Sequence, residues 1–145
     1  MKYVRLIIGV IIGLIVITIT AEVIEFTIVK LVSGKSFEDL QTNQIEYFNI
    51  RNRIWILIAK IIYSLFAGII GGYLTTWISN ELAKIAILIL VLIQIVSLIW
   101  GGFFSDLSVT GPLWMWIYLL IIIPIGVWTG YKWKSKTLYN KTYKQ

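Results

Sequence analysis

Residues 4–32 read VRLIIGVIIGLIVITITAEVIEFTIVKLV and decide the fold of this chain. From residue 6 to residue 21 the stretch holds aliphatic residues, two glycines and two threonines, a composition that suits hydrocarbon rather than water. Glu22 and Glu25 follow Thr18 at spacings of four and seven, so the three side chains share one helix face. A charged side chain within a membrane costs roughly 2.5–3.5 kcal/mol. These two carboxylates therefore need an ionic partner, a proton or a wet cavity.

The rest of the chain continues the same pattern. Hydrophobic residues make up 59% of the 145, the mean hydropathy is +0.86, and a helix needs about 20 apolar residues to cross a bilayer. Four stretches qualify, at about residues 4–32, 54–79, 82–104 and 113–131. None alternates apolar and polar residues as a membrane barrel does. The sequence predicts an all-α, integral membrane four-helix bundle forming a single membrane domain over residues 1–145, with a polar outer loop between helices 1 and 2.

The basic residues predict the orientation of the bundle. Of the 13 lysines and arginines, eight fall on one side: Lys2, Arg5, Lys84, Lys132, Lys134, Lys136, Lys141 and Lys144. The other side carries Lys30, Lys35, Arg51, Arg53 and Lys60, together with most acids: Glu22, Glu25, Glu38, Asp39, Glu46 and Asp106. Both termini, including a basic tail over residues 132–145, are predicted to be cytoplasmic. The richness in Ile, Lys and Asn favours the cell membrane of a prokaryote with an AT-rich genome.

The first helix has one alternative interpretation, as a cleaved signal peptide. Its apolar stretch is longer than a typical signal, and a cut after Ala21 would put Ile19 where a small residue is wanted. A retained membrane helix is favoured.

Several classes of chemistry are excluded by composition. Without cysteine or histidine there are no disulfides, no thiolate or histidine catalysis, no haem ligation through these residues and no histidine metal sites. Glu22 and Glu25 alone are too few ligands for a carboxylate metal site, and no enzyme motif appears. We expect no enzymatic activity, no cofactor, no metal and no nucleic-acid partner.

A candidate site follows from the polar residues of the first three spans. Glu22 and Glu25 could face Lys60 and Ser64 of the second span and Gln94 and Ser97 of the third. Together these six residues predict a proton, ion or polar cavity. Two alternatives stay open: Glu22, Glu25 and Lys60 could extend to the headgroup level, or the end of a long first helix could leave Glu25 in water with only Glu22 near the boundary.

Glycine pairs predict where the helices approach most closely. The pairs are Gly9 and Gly13, Gly68 and Gly72, and Gly126 and Gly130, all toward the cytoplasmic side. They predict a bundle that is closed at that side and more polar and hydrated at the outer side. Gly13 and Glu22 lie on opposite sides of the first helix, because they are nine residues apart, so either face could look into the bundle or toward a second subunit.

The outer loop and the aromatic residues have simpler interpretations. Ser36 and Asp39 are spaced like a helix start, which predicts a short amphipathic helix or lid involving Phe37, Leu40 and Tyr47; an ordinary surface loop is the alternative. The aromatic residues near both ends of the fourth span are typical of interfacial belts: Trp114, Trp116, Tyr118, Trp128, Tyr131 and Trp133.

Two resemblances bear on function. Pro112 to Trp116, the glycine pair Gly71-Gly72 and the acid that ends the first span resemble the uncharacterised small four-span membrane proteins of bacteria. Locally, Ala21-Glu22-Val23-Ile24 and Trp100-Gly101-Gly102-Phe103-Phe104 resemble the small multidrug resistance exporters. That resemblance implies a proton-coupled dimer in which Glu22 exchanges protons for cationic drugs, although the outer loop is far larger here.

The sequence thus favours a non-enzymatic accessory or assembling subunit, as a homo-oligomer or within a larger membrane complex. The alternative is a small proton-coupled transporter that uses Glu22.

Overall fold

The computed structural model describes residues 1–105 and 111–142, without the side chains of residue 37 and residues 138–142. Asp106 and residues 143–145, which entered the charge argument, lie outside the described residues. Across the described ranges the chain forms helices and short connections, with no strand. The predicted all-α class is confirmed.

Within the described residues, six α-helices follow one another. Their bounds are α1 Lys2–Ser33, α2 Phe37–Thr42, α3 Gln44–Arg51, α4 Ile54–Ser79, α5 Ala83–Ile99 and α6 Leu113–Thr142. A 3₁₀ turn, Asn80–Leu82, joins α4 to α5, and a π-helical turn, Trp100–Phe104, extends α5. Pro124 lies inside α6 without ending it. The helix also continues well past residue 131, so the first part of the predicted basic tail is helical.

In the part of the chain that the structure describes, three segments are long and apolar enough to span a membrane: Lys2–Ser33, Ile54–Phe104 and Leu113–Thr137. The middle segment has 51 residues but does not run straight. It reverses at Asn80, whose φ of 45° is unusual for a residue with a side chain. After this reversal α5 runs back along α4, so α1, α4, α5 and α6 pack as successive antiparallel helices.

Large apolar side chains point away from the packed helices. They recur every four residues, as in Ile7, Ile11, Ile15 and Ile19 of α1 and Ile58, Ile62, Phe66 and Ile70 of α4. Meanwhile Ser64, Thr75, Thr76 and Ser79 are buried. An apolar exterior around an interior that includes these polar side chains suits lipid, because in water a surface of this kind drives association.

The six predicted packing glycines all lie against neighbouring helices of the same chain. A Cβ on Gly126 of α6 would come within 2.5 Å of the Leu65 carbonyl oxygen and 3.1 Å of the Gly68 Cα. A Cβ on Gly72 would overlap the Val127 carbonyl, and one on Gly130 would overlap that of Ile69. Here α4 and α6 meet backbone to backbone.

The glycine face of α1 packs on α4 in the same way. A Cβ on Gly9 would overlap the Ser79 side chain, and one on Gly13 would overlap that of Thr75. The Thr75 hydroxyl donates a 3.0 Å hydrogen bond to the Gly9 carbonyl oxygen. Of the two orientations left open for α1, the structure has its glycine face inward, against α4.

The loop between α1 and α4 contains two short helices, so it follows the helical alternative and is not an ordinary surface loop. Ser36 and Asp39 form a reciprocal cap at the start of α2. Hydrogen bonds from Ser36 hold the pKa of the Asp39 carboxyl below its ordinary value. Leu40 and Ile50 then pack with Val29 in a small apolar cluster, which fixes α2 and α3 against the end of α1.

Candidate polar site

Glu25 lies at the centre of a buried charged cluster, with only 3% of its surface exposed. The Arg51 Nε lies 2.7 Å from its Oε1 atom, and the Lys60 ammonium pairs with its Oε2 atom. The Tyr47 hydroxyl donates to Oε1 at 3.2 Å, and the Tyr63 hydroxyl donates to Oε2 at 2.9 Å. Both carboxylate oxygens are therefore shared between a cation and a phenol.

Helical spacing explains how the four partners reach one carboxylate. Lys60 and Tyr63 are three residues apart on α4, and Tyr47 and Arg51 are four apart on α3, so each pair shares a helix face. Helix α3 thus supplies two of the four partners of Glu25, which lies on α1. Burial of ions requires such pairing, since an unpaired charge removed from water is strongly unfavourable.

A cavity of about 390 Å³ opens beside this cluster. All of its charged lining residues come from the loop end of the bundle, whereas Ile17 and Ile123 lie deeper, toward the glycine contacts. The neutral polar residues Thr18, Ser64 and Gln94 line it as well. The charged residues are therefore confined to one end of the cavity, and apolar and neutral polar residues line the rest. It comprises Ile17, Thr18, Ala21, Glu22, Glu25, Tyr47, Phe48, Arg51, Lys60, Ser64, Gln94, Leu98, Trp116, Leu119 and Ile123.

Trp116 forms one wall of the cavity and is 9% exposed. Its indole Nε1 is buried and has no hydrogen-bond partner among the residues the structure describes. The ring packs on the π-helical turn, where Gly101 and Gly102 leave room for it. π-helical turns occur often at functional sites, and this one sets the position of the indole.

Replacing Gly102 by alanine tests how the turn positions Trp116. The new Cβ would lie 2.8 Å from the Trp116 Cγ and Cδ2 atoms, so we expect a loss of about 1–3 kcal/mol in unfolding free energy through overpacking. Gly101→Ala is a matched control, because its Cβ would meet the same ring at an ordinary 3.8 Å. Denaturation curves in detergent measure the stability of both variants. Equal stability would contradict the close packing of the Trp116 ring on Gly102.

The structure brings five of the six predicted site residues to this cavity. Glu25, Lys60, Ser64 and Gln94 are buried in its wall, and Glu22 lines it while remaining exposed. Lys60 does not extend to the surface, because it pairs with Glu25 inside the bundle. The alternative in which Glu25 is wet is also not the observed one: of the two acids, it is Glu25 that is buried.

Ser97 is the exception. It is exposed and does not line the cavity. Leu98 lines the wall instead, because a residue four positions after Gln94 returns closer to the same helix face than one three positions after it.

Four residues of this site are not predicted from the sequence: Arg51, Tyr47, Tyr63 and Trp116. In the sequence Arg51 indicates only the topology, and Trp116 indicates only an aromatic belt. The spacings of Tyr47 with Arg51 and of Lys60 with Tyr63 were available signals. Nothing in the sequence distinguishes Trp116 from its neighbour Trp114, which is 36% exposed.

Tyr47 lies outside the long helices, and its environment favours the neutral phenol. Burial and the nearby Glu25 carboxylate both raise the pKa of the Tyr47 hydroxyl above its ordinary value. The hydroxyl therefore stays protonated across the neutral range and donates a hydrogen bond to Glu25. Within the described residues no group of three or more acidic side chains is placed to hold a metal ion.

Comparisons of the chain with protein families, with curated proteins and with solved structures find no match.

Proposed function

We propose that this chain is a small, non-enzymatic, four-span membrane protein that serves as an accessory subunit and presents one polar pocket on its outer side. The observation that carries the proposal is the one-sidedness of the bundle. A charged cavity surrounds Glu25 at one end, while backbone contacts between Gly68, Gly72 and Gly126 pack the other part of the bundle. A pocket accessible from one side suits binding or assembly better than passage of a substrate across the membrane.

The proposed orientation places both termini in the cytoplasm of a prokaryotic cell. Met1, Lys2 and Arg5 line a cavity with Ser79 and Glu81, and the Lys134 ammonium lies 5.2 Å from the Tyr73 ring centroid. Both features lie at the carboxyl end of α4, so the amino terminus and α6 bring their basic residues to one end. The excess of basic residues favours the cytoplasmic side for that end.

The natural lack of cysteine makes this topology easy to test. Single cysteines introduced as Lys35→Cys and Lys136→Cys should react differently with a membrane-impermeant maleimide. We expect labelling at position 35 in intact cells and labelling at position 136 only after permeabilisation. The reverse pattern would overturn the orientation.

An accessory role also predicts association. The glycine faces are used within the chain, so a partner or a second copy must bind the outward aliphatic surface or the loop helices. Purification in a mild detergent should retain a second polypeptide in a fixed ratio, or a homo-oligomer. Recovery of the bare monomer alone would count against this role.

One observation favours proton-coupled transport as a second candidate. Glu22 lines the cavity, remains exposed and has no ion-pair partner within the described part of the chain, whereas Glu25 is fully paired. A proton-exchanging acid must be free, and Glu22 meets that condition. Glu22→Gln in proteoliposomes would abolish proton-driven efflux of a cationic dye from a transporter, while an accessory subunit would keep its complex unchanged.

A further inference from the structure

We infer that the cavity beside Glu25 binds an amphipathic anion, with its anionic head group at Arg51 and Lys60 and its apolar body against Ile17, Leu119 and Ile123. This inference deepens the proposed function and rests on it, because it identifies the chemical class of ligand for the same pocket.

Hydrogen-bond capacity is the first argument. A carboxylate offers about four acceptor positions, and those of Glu25 already receive Lys60, Arg51, Tyr47 and Tyr63. A buried donor, by contrast, remains available, because the Trp116 Nε1 has no hydrogen-bond partner among the described residues. A ligand that carries an acceptor would satisfy it.

Charge is the second argument. Arg51 and Lys60 carry two positive charges against one negative charge on Glu25, and all three side chains are buried. A monoanion would neutralise the remaining charge. Glu22 also lines the cavity, but it is exposed, so water and salt screen it more strongly than they screen the buried ions.

The uneven lining is the third argument. The cations and the Trp116 indole lie at the loop end, and the deeper part is lined by Ile17 and Ile123 together with Thr18, Ser64 and Gln94. A small inorganic ion would leave the apolar part empty. A head group on a short hydrocarbon chain fills both parts, and the volume of about 390 Å³ lies in the range of ligand pockets.

The head group could belong to a free carboxylate or to an anionic lipid of the surrounding bilayer. Octanoate serves as the carboxylate probe, with octylamine and octanol as cationic and neutral probes of the same chain length. Native mass spectrometry of the purified full chain in a neutral detergent measures binding of each. We expect octanoate to bind about tenfold more tightly than octanol, as a charged hydrogen bond implies, and octylamine to bind least. Displacement of octanoate by dioctanoyl phosphatidylglycerol would identify a lipid as the source.

Trp116→Phe is the most direct variant, because it keeps an aromatic ring and removes the indole N–H together with part of the ring volume. We expect it to weaken octanoate binding about tenfold more than octanol binding, because the loss of ring volume affects both probes alike. Trp100→Phe is the matched control, since Trp100 is 66% exposed and does not line the cavity. Arg51→Gln should also weaken octanoate binding, and if it fails to fold, Trp116→Phe decides alone.

Tighter binding of octylamine than of octanoate would overturn the inference. So would octanoate binding that Trp116→Phe weakens no more than octanol binding, or no binding of either anion. None of these results alters the cysteine labelling pattern or the recovery of a partner, so failure of the ligand assignment is distinguishable from failure of the proposed function.

Discussion

Glu25→Gln is expected to lower the unfolding free energy by about 3–5 kcal/mol, the usual cost of removing one partner from a buried ion pair. Glutamine has a similar shape, so the loss would come from charge. Lys60 and Arg51 would remain buried at 9% and 8% exposure without their common counter-ion. Reversible unfolding in mixed detergent micelles, followed by circular dichroism, measures the change.

Glu22→Gln is the matched control for this experiment. It makes the same chemical change three residues away, at an exposed side chain, and should alter stability by no more than about 0.5 kcal/mol. Adding Lys60→Met to Glu25→Gln should recover part of the loss, because it removes one of the stranded cations. If the two single glutamine variants unfold alike, Glu25 does not neutralise the cluster in the way the structure indicates.

Gly126→Ala is expected to destabilise the bundle by about 2–3 kcal/mol, at the upper end of overpacking effects. The added methyl group would meet backbone atoms, namely the Leu65 carbonyl oxygen at 2.5 Å and the Gly68 Cα at 3.1 Å. Backbone in a helix cannot rotate away as a side chain can, so α4 and α6 would have to separate. The same unfolding assay measures the effect.

Gly101→Ala is again the appropriate control, because it adds the same methyl group where the nearest Trp116 atom is 3.8 Å away. Near-equal stability of the two alanine variants would show that α4 and α6 do not meet backbone to backbone at Gly126.

The sequence predicts the long helices well for a physical reason. In hydrocarbon every backbone polar group must be satisfied internally, so long apolar stretches become helices. The spacing of the glycines and of Lys60 and Ser64 likewise indicates which face of α4 is buried, since one helix face repeats every three to four residues. The long helices and the buried face of α4 depend only on local composition and periodicity, and both can be seen in the sequence.

The identity of the buried acid could not be predicted in this way. Glu22 and Glu25 have the same chemistry, and the choice between them depends on how α1 rotates and tilts against α4, which is a tertiary property. The same holds for Arg51. Its position in the cluster depends on how α3 folds back over the end of α1. That placement is fixed by contacts of Leu40 and Ile50 with Val29, which are tertiary contacts and not local ones.

The coordination of Glu25 from outside the membrane helices has a mechanical consequence. Tyr47 and Arg51 tie α3 to a carboxylate in the interior, so lifting α3 would strip two contacts from that carboxylate at once. A molecule that binds α3 more tightly in one of these two positions would thereby alter the stability of the buried cluster. By thermodynamic reciprocity, a change in that cluster would alter the affinity of α3 for the molecule. The segment between α1 and α4 therefore covers the buried cluster around Glu25 and also responds to changes in it.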